Sequence, residues 1–300
     1  MKILLIGATG VLGTSFCKLA QHKRDVEITA LVRTPEKGAA LEQYGVQTVP
    51  GSILNPDSIR NALLGKDVVL NFASAVPRKL KPSHRDWEMN DHIRTRGTSN
   101  VLEQVNSNEV FYCQAGVVFL YGDHDGAWIQ EDSPVFPGRI ARTSYEMEQM
   151  FLTGENDLTG VSFRFSLFYH PTAWHTQTML KELSKRRFPI IGDGSYYWNL
   201  IHVEDAAKAV WTILDRRDQI HGREIVLVSD DVPVTCHEFL SYLCSLLNVE
   251  EPTRIPKRIA KLALGSELVE TLTASFRCKT DKIKGFGWKP SYPSFREGFN

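Results

Sequence analysis

The chain has 300 residues, of which 42% are hydrophobic and 23% are charged, and its formal net charge at pH 7 is zero. This length suits one large α/β domain with or without a small second one, and the neutral balance gives no reason to expect nucleic acid or a membrane as a partner. The five cysteines form no CxxC pair and have no histidine at zinc spacing, so we expect reduced thiols and no metal site. No apolar run has the length of a signal-peptide core or of a membrane span, so we expect a cytoplasmic protein.

Short apolar runs alternate with helical patterns through the first 228 residues. The predicted strands cover residues 3–6, 26–32, 47–49, 68–72, a stretch opening at 110–113, 161–165 and 224–228. The predicted helices cover residues 12–22, 57–64, 87–105, 145–151 and 203–214. Strand, helix and strand at this spacing indicate parallel strands with right-handed crossovers. The predicted fold class is therefore α/β, with a Rossmann-type doubly wound parallel sheet.

The composition changes after Phe165. Residues 166–199 are rich in aromatic side chains and histidine, and residues 229–300 carry prolines between helical stretches. We expect residues 1–165 plus 200–228 to form a dinucleotide-binding domain, and residues 166–199 plus 229–300 to form a small substrate-covering domain.

A glycine-rich loop follows the first predicted strand, with the sequence Gly7-Ala8-Thr9-Gly10-Val11-Leu12-Gly13. Small residues at this spacing permit a tight turn, a close approach of backbone N–H groups to a pyrophosphate, and close helix–strand packing. A structural βα turn is the alternative. The position of the loop, after four apolar residues and at the start of a βαβ series, favours a dinucleotide site.

The second predicted strand ends at Leu31-Val32-Arg33. An NAD enzyme places an acidic residue at this point for the adenosine ribose, and the next acidic residue here is Glu36. Arg33 can pair with a 2′-phosphate, so we expect NADP(H) to be preferred over NAD(H). A surface arginine with no ligand is the alternative.

Further landmarks stand in order along the chain. They are Gly51-Ser52-Ile53, Asn71-Phe72-Ala73-Ser74-Ala75, Gly97-Thr98-Ser99-Asn100, Tyr121-Gly122, Glu131-Asp132-Ser133-Pro134, Arg164, Gly192-Asp193-Gly194 and Ile201-His202-Val203-Glu204-Asp205-Ala206. With the glycine loop, they make the whole chain resemble the extended short-chain dehydrogenase/reductases, the NAD-dependent epimerase/dehydratase family. The resemblance is strong over the Rossmann half and looser over the C-terminal part.

The resemblance implies a set of cofactor contacts. The pyrophosphate would meet the glycine loop, adenine would lie near the segment after the third strand, and the nicotinamide path would follow the fourth strand. The residues implied are Gly7, Thr9, Gly10, Val11, Leu12, Gly13, Ser52, Ile53, Phe72, Ala73 and Ser74. Ser52 departs from the family, which usually has Asp at that position.

The family's catalytic side chains are missing. The family uses a Ser or Thr late in the fifth strand and a Tyr-x-x-x-Lys pair on the next helix, in which Tyr moves the proton and Lys lowers its pKa. Aligning on Pro137 and Ser144 puts Ala141 at the Tyr position and Tyr145 at the Lys position. The Ser/Thr position falls on Gly116 or Val117. No Tyr-x-x-x-Lys occurs anywhere in the chain.

Three other side chains could supply a proton. Tyr145 lies one helical turn beyond the empty Tyr position, while Tyr121 and His124 lie in the loop after the fifth strand, where doubly wound folds bind ligands. Each also has a structural interpretation. We name Tyr145 first and Tyr121 second as catalytic candidates, and His124 as a residue that lines the substrate.

The predicted substrate-lining residues are largely aromatic. His170 and Trp174 follow the sixth strand, and Tyr197 and Trp198 precede the His202 block. Family members that act on nucleotide sugars usually have Arg at the position of Trp198. Because an indole cannot neutralise a diphosphate, aromatics here suit an apolar or planar ligand. Packing at the domain junction is the alternative.

Three functions follow from these features. The first is an NADP(H)-dependent oxidoreductase acting on a non-nucleotide, apolar or aromatic carbonyl-type substrate. The second is a non-redox isomerase, dehydratase or cyclase, and the third is a cofactor-sensing or structural protein without catalysis. We also expect a homodimer through the helices at about 87–105 and 138–152, as in the family.

Overall fold

Seven parallel strands form the central sheet in a computed structural model, which describes residues 1–79, 81–105 and 110–299. The first half contains β1 (Lys2–Ile6), α1 (Val11–Ala20), β2 (Glu27–Val32), α2 (Pro35–Glu42), β3 (Gln47–Pro50), α3 (Pro56–Leu63), β4 (Val68–Asn71), α4 (His84–His92), α5 (Thr98–Gln104) and β5 (Phe111–Val117). A π-helical segment, Ile93–Gly97, joins α4 to α5.

The second half completes the sheet and adds the smaller elements. They are β6 (Trp128–Ile129), α6 (Arg139–Leu152), β7 (Thr159–Phe165), β8 (Leu167–Tyr169), α7 (Trp174–Ser184), β9 (Ile190–Ile191), β10 (Tyr197–Trp198), β11 (Leu200–His202), α8 (Val203–Asp215), β12 (Arg223–Val228), β13 (Val234–Thr235), α9 (Cys236–Leu247), β14 (Arg254–Ile255), α10 (Lys257–Leu264), α11 (Ser266–Leu272), β15 (Arg277–Cys278), α12 (Asp281–Gly285) and α13 (Phe295–Phe299).

The strand order is β12-β7-β5-β4-β1-β2-β3. The chain runs outward from β1 to β3 on one side, and then from β4 to β12 on the other. The predicted doubly wound sheet is confirmed, with its switch of direction between β1 and β4. In such sheets ligands bind in the crevice at the carboxyl ends of the strands beside this switch.

Most predicted elements of the Rossmann half lie within a few residues of the observed ones. Helix α6 begins at Arg139 rather than near 145, directly after the Pro137-Gly138 break. Helix α2, which has Pro35 in its first turn, was not predicted, because only Gly38 and Leu41 of its eight residues are buried and its apolar periodicity is weak. The predicted helix over 87–105 corresponds to α4, the π-helical segment and α5.

Apolar clusters cover both faces of the sheet. Phe16 and Trp211 stack on one face, where α1 packs on α8, while Ile59 and Val101 belong to the cluster on the other face. A separate apolar cluster around Phe239 gathers residues from β8 to β11, α9 and the C-terminus. A second core of this kind is what the predicted substrate-covering domain requires, although the domain boundaries themselves stay a prediction.

Two further expectations concern the whole chain. All five cysteines are buried free thiols, as expected for reduced cysteines. Within residues 1–79, 81–105 and 110–299, no helix combines the length and the apolar character that crossing a bilayer requires.

Candidate active site

The glycine loop after β1 is too tightly packed to hold side chains at two positions. Gly7 has a φ of +90°, and a Cβ there would lie 2.5 Å from the carbonyl carbon of Phe72. A Cβ at Gly13 would overlap the carbonyl oxygen of Gly7, which also accepts a 3.0 Å hydrogen bond from the Gly10 N–H. The loop therefore brings the end of β1, the start of α1 and the segment after β4 into backbone contact.

The N-terminus of α1 faces solvent at this loop. Gly10 is the N-cap and has no side chain to satisfy the N–H groups of the first turn. Thr9 and Gly10 are exposed, Val11 is half-buried, and Leu12 is buried. Unsatisfied N–H groups give a helix N-terminus a partial positive charge, which suits a phosphate. The open N-terminus and the side-chain-free cradle fit a dinucleotide pyrophosphate.

The end of β2 lies beside this cradle, because β2 pairs with β1. Arg33 is exposed there and free to meet a ligand. Glu36, the nearest acidic residue along the chain, sits in the first turn of α2, where hydrogen bonds from its own backbone N–H and from the Thr34 hydroxyl lower its pKa. Arg33 is therefore an exposed cation at this strand end, and the Glu36 carboxylate already accepts local hydrogen bonds.

The expected adenine and nicotinamide segments flank the cradle. Ser52 accepts a hydrogen bond from the Leu54 N–H through its hydroxyl, and Ile53 is buried against Gly97. Phe72 is buried edge-on to Phe16, and its N–H donates to the carbonyl oxygen of Ile6. Ala73 is half-buried and Ser74 is exposed. Of these residues, Ala73 and Ser74 are therefore the more accessible to a ligand.

Packing is tight at Gly116 and Ala141, two of the positions at which the family alignment finds no catalytic side chain; Val117, the alternative Ser/Thr position, is half-buried. A Cβ at Gly116 would lie 2.9 Å from the carbonyl oxygen of Phe163 on β7, so a serine there would require the strands to move apart. Ala141 is buried in an apolar cluster with Tyr121, Leu227 and Phe276. A side chain at Gly116 therefore requires a backbone shift, and a larger side chain at Ala141 would have to displace buried apolar neighbours.

The three candidate proton donors have different surroundings. Tyr121 is fully buried; its hydroxyl donates to the carbonyl oxygen of Gln130 at 2.9 Å and accepts from Arg164 at 2.6 Å. Burial raises the pKa of Tyr121 despite the nearby Arg164 charge. His124 is half-buried and its Nε2 lies 3.1 Å from the carbonyl oxygen of Pro134. Tyr145, on α6, is half-buried, so Tyr145 and His124 are both more accessible than Tyr121.

A buried polar network, absent from the sequence analysis, runs beneath β4, β5 and β7. Its hydrogen bonds, all between 2.6 and 3.3 Å, link Thr98, Asn71, Tyr112, Gln114, Ser162, Glu148, Arg164 and Tyr121 in that order. The guanidinium of Arg164 meets both carboxylate oxygens of Glu148, at 2.9 and 2.6 Å. The sequence feature that could have indicated this network is Glu148, which lies seven residues after Ala141 on the same face of α6. The network ties α6, the helix that carries Tyr145, to the sheet.

The predicted substrate-lining aromatics separate into two groups. The Trp198 indole N–H donates to the carbonyl oxygen of Leu272 at 2.9 Å, and the Tyr197 ring lies beneath the Arg277 guanidinium at 5.0 Å. Both contacts are with the C-terminal segment, which favours the packing interpretation for these two residues. Trp174, in contrast, lies 5.4 Å from the guanidinium of Arg78 in the segment after β4.

His170 lies at the end of β8, which pairs with β11. Its Nδ1 accepts a 3.1 Å hydrogen bond from the Thr172 N–H, and burial lowers its pKa. Its ring lies 5.1 Å from that of His202, which is buried against Tyr292 at 3.8 Å. These contacts connect His170 to the packing of β8 and β11.

The curated relatives include reductases, a glycan biosynthesis protein and dTDP-glucose 4,6-dehydratases. The chain is 24% identical to a 3-diazoavenalumate denitrifying reductase from a Streptomyces species over 99% of each chain. It is 23% identical to the 2-alkyl-3-oxoalkanoate reductase of Shewanella oneidensis, over 87% of this chain and 70% of that one.

Solved structures show the same fold. A human epimerase family protein with NADPH superposes with a TM-score of 0.81 at 16% identity, covering 99% of this chain and 97% of that one. The UDP-glucuronic acid 4-epimerase of Bacillus cereus, in complex with UDP-glucuronic acid and NAD, gives 0.80 at 18% identity, covering 99% and 96%. The model of the NAD dependent epimerase/dehydratase family matches residues 3–228. The chain belongs to this family.

Proposed function

We propose that this protein is an NADP(H)-dependent oxidoreductase that reduces an apolar or aromatic, non-nucleotide carbonyl-type substrate. The observation that carries the proposal is the cradle formed by Gly7, Gly10 and Gly13 against the backbone of Phe72. If the glycine loop served only as a turn, the N-terminus of α1 beside it would not need to be open to solvent.

The cofactor would supply hydride, and the chain would hold it in position. The α1 N-terminus would bind the pyrophosphate, and Arg33 would bind a 2′-phosphate. Ala73 and Ser74 would line the path toward the nicotinamide. Holding two reactants in the right geometry supplies much of an enzyme's rate enhancement, so a reaction can proceed with an altered set of catalytic side chains.

The proposed preference for a non-nucleotide substrate follows from the lack of a positive charge at position 198. Trp198 stands where nucleotide-sugar enzymes carry an arginine, and its indole is hydrogen-bonded to Leu272. A sugar diphosphate would therefore lose its counter-ion. The two reductase relatives support a different class of substrate, since 3-diazoavenalumate and 2-alkyl-3-oxoalkanoate are both carboxylates by name.

Tyr145 is the proposed proton donor. A carbonyl that receives hydride becomes an alkoxide, and general acid catalysis of its protonation typically supplies about 10²–10⁴-fold in rate. Tyr145 occupies the lysine position on α6, it is accessible, and the buried network beneath α6 holds that helix in place. Tyr121 is no longer proposed, because its hydroxyl is buried and hydrogen-bonded on both sides.

The test is NADPH oxidation with a panel of aromatic aldehydes, ketones and 3-oxo acids. Tyr145→Phe should lower turnover at least tenfold, on the order of what general acid catalysis supplies. It should leave NADPH affinity within about threefold, because the hydroxyl is not needed for ground-state binding of the dinucleotide. Tyr242→Phe, on α9, is the matched control and should leave turnover unchanged. Unchanged turnover of Tyr145→Phe would remove Tyr145 from the mechanism.

A cofactor-sensing or structural role is the second candidate. It is favoured by the tight packing at Gly116 and Ala141. Tight NADPH binding with no turnover of any panel member would support it. Restoring the family pair is a poor test, since a tyrosine at Ala141 would overpack its apolar cluster.

A further inference from the structure

Among the described residues, one buried cation, Arg94, has no carboxylate within ion-pair distance, and the Asp91 charge acts on it from beyond 4.0 Å. Arg94 is 5% exposed, and its Nε has no hydrogen-bond partner there. Its guanidinium forms no ion pair within 4.0 Å with a carboxylate of residues 1–79, 81–105 or 110–299. The side chain of Asp91, one turn earlier, accepts a 2.9 Å hydrogen bond from the Thr143 hydroxyl.

Arg94 lies in the π-helical segment between α4 and α5, on a helix face that meets the segment after β4. Asn90, four residues earlier, accepts a 3.1 Å hydrogen bond from the Ala75 N–H. Thr98, four residues later, accepts one of 3.1 Å from the Asn71 side chain. Residues at this spacing share a helix face, so Arg94 lies between the two attachment points of residues 71–75. Short π-helical segments frequently occur at functional sites.

A second donor on this face is also without a partner. Asn90 is fully buried, and its Nδ2 has no hydrogen-bond partner among the described residues. Together, Asn90 and Arg94 present N–H groups and no acceptor beside the segment that leads to the proposed nicotinamide position. Buried donors are almost always satisfied in native proteins, so a pair of this kind calls for an acceptor.

A buried guanidinium without an anion is destabilising. An uncompensated buried charge lowers stability unless the group gives up its charge. Burial lowers the pKa of Arg94 to about 10, so the group remains a cation at neutral pH. A residue that lowers stability and is still charged is typical of a binding position, where the ligand completes the ion pair.

We propose that Arg94 and Asn90 form the site for the carboxylate of the substrate. The inference rests on the proposed reductase function and extends it by naming an acid as the substrate class. A carboxylate offers acceptors to both side chains and can pair with a guanidinium through two parallel hydrogen bonds. The cofactor pyrophosphate is assigned to the α1 N-terminus, so it does not supply this anion.

The experiment measures thermal unfolding of the wild type, Arg94→Met and Arg96→Met, without ligand and with acetate, benzoate or cinnamate. Chloride at matched ionic strength is the reference. Arg96 is exposed on the same π-helical segment, so its loss controls for a change of net charge. Arg94→Lys keeps the charge and tests whether the planar guanidinium is needed.

Without ligand, Arg94→Met should raise Tm by about 2 °C or more, because methionine fills the space without a buried charge. At least one carboxylate should raise the Tm of the wild type and of Arg96→Met, and none should raise that of Arg94→Met. Arg94→Lys should retain part of the carboxylate shift. A lower Tm for unliganded Arg94→Met would identify a structural arginine and overturn the proposal. So would the same carboxylate shift in Arg94→Met and wild type, or no shift in the wild type.

These outcomes are separable from those of the proposed function. NADPH affinity of Arg94→Met, measured by calorimetry, should stay within about threefold of wild type, since the proposal places no cofactor contact on Arg94. If the wild type fails to bind NADPH, the reductase function is wrong, whatever the carboxylate result. If NADPH binds and the carboxylate shift is absent, only the present inference fails.

Discussion

Two arginines are buried next to the helices that cover this sheet, and their surroundings are opposite. Arg164, on β7, is 3% exposed and donates to Glu148, Tyr121 and the carbonyl oxygen of Glu131. Burial alone would lower its pKa, but the Glu148 carboxylate outweighs this and raises it. Arg94 is almost equally buried, and burial lowers its pKa to about 10 although the Asp91 charge opposes this shift.

The difference separates two uses of the same side chain. A buried charge whose partners all come from the chain holds the fold, as Arg164 holds β7, α6 and the loop at Tyr121. A buried charge without such partners lowers stability, and for Arg94 we propose that a ligand supplies the missing partner. Substitution by methionine should therefore have opposite signs at the two positions, lowering Tm at Arg164 and raising it at Arg94.

The largest effect is expected from breaking the Arg164 pair. Glu148→Gln leaves the guanidinium buried without a counter-ion, which should lower the free energy of unfolding by about 3–5 kcal/mol. Urea unfolding measures it. Glu146→Gln, exposed on the same helix, is the control and should change stability by about 0.5 kcal/mol or less. A loss below about 1 kcal/mol at Glu148 would mean that pairing does not distinguish the two arginines.

His202 extends the comparison of buried basic side chains to a group that can become neutral. It is 2% exposed, its Nδ1 has no partner among the described residues, and burial lowers its pKa to about 4. A base with a lowered pKa in the folded state makes stability fall as pH drops, beginning near 6.5, where the unfolded chain takes up the proton, and ending near 4.

Between pH 7 and pH 4, wild type should therefore lose up to about 3 kcal/mol more than His202→Phe. Asp230, whose pKa is raised by burial, titrates in both proteins and largely cancels in the difference. His221→Phe, at an exposed histidine, is the control and should follow wild type. Parallel curves for wild type and His202→Phe would show that His202 is not held neutral.

Arg33 is an exposed arginine, so its substitution should change cofactor binding and leave the stability of the unliganded protein unchanged. We expect NADPH to bind more tightly than NADH, and Arg33→Ala to remove most of the difference. A charged phosphate contact is worth about 1.5–3 kcal/mol, or roughly 10- to 150-fold in affinity. Calorimetry with both cofactors measures it, and unfolding without ligand should be unchanged. Equal affinities in the wild type would contradict the NADP(H) preference.

Much of this molecule could be predicted from local spacing. The alternation of strands and helices, the glycine loop at residues 7–13 and the family landmarks depend on residues close together in sequence, and the fold and family are confirmed. The NADP(H) preference, the homodimer and the cytoplasmic location stay predictions. The catalytic candidates were chosen from position alone, and position did not separate the accessible Tyr145 from the buried Tyr121.

The sequence by itself determined the doubly wound sheet, the glycine loop after its first strand and the absence of a Tyr-x-x-x-Lys pair, because each is a local pattern of residue types. Only the tertiary structure decided that Gly116 is closed by the backbone of Phe163 and that Trp198 is hydrogen-bonded to Leu272. It also decided that Arg164 pairs with a carboxylate, whereas no carboxylate in the part of the chain that the structure describes lies within ion-pair distance of Arg94. Those properties depend on partners that lie far apart in the chain or on other elements. The role of a buried side chain depends on the groups around it, and those groups come together only when the chain folds.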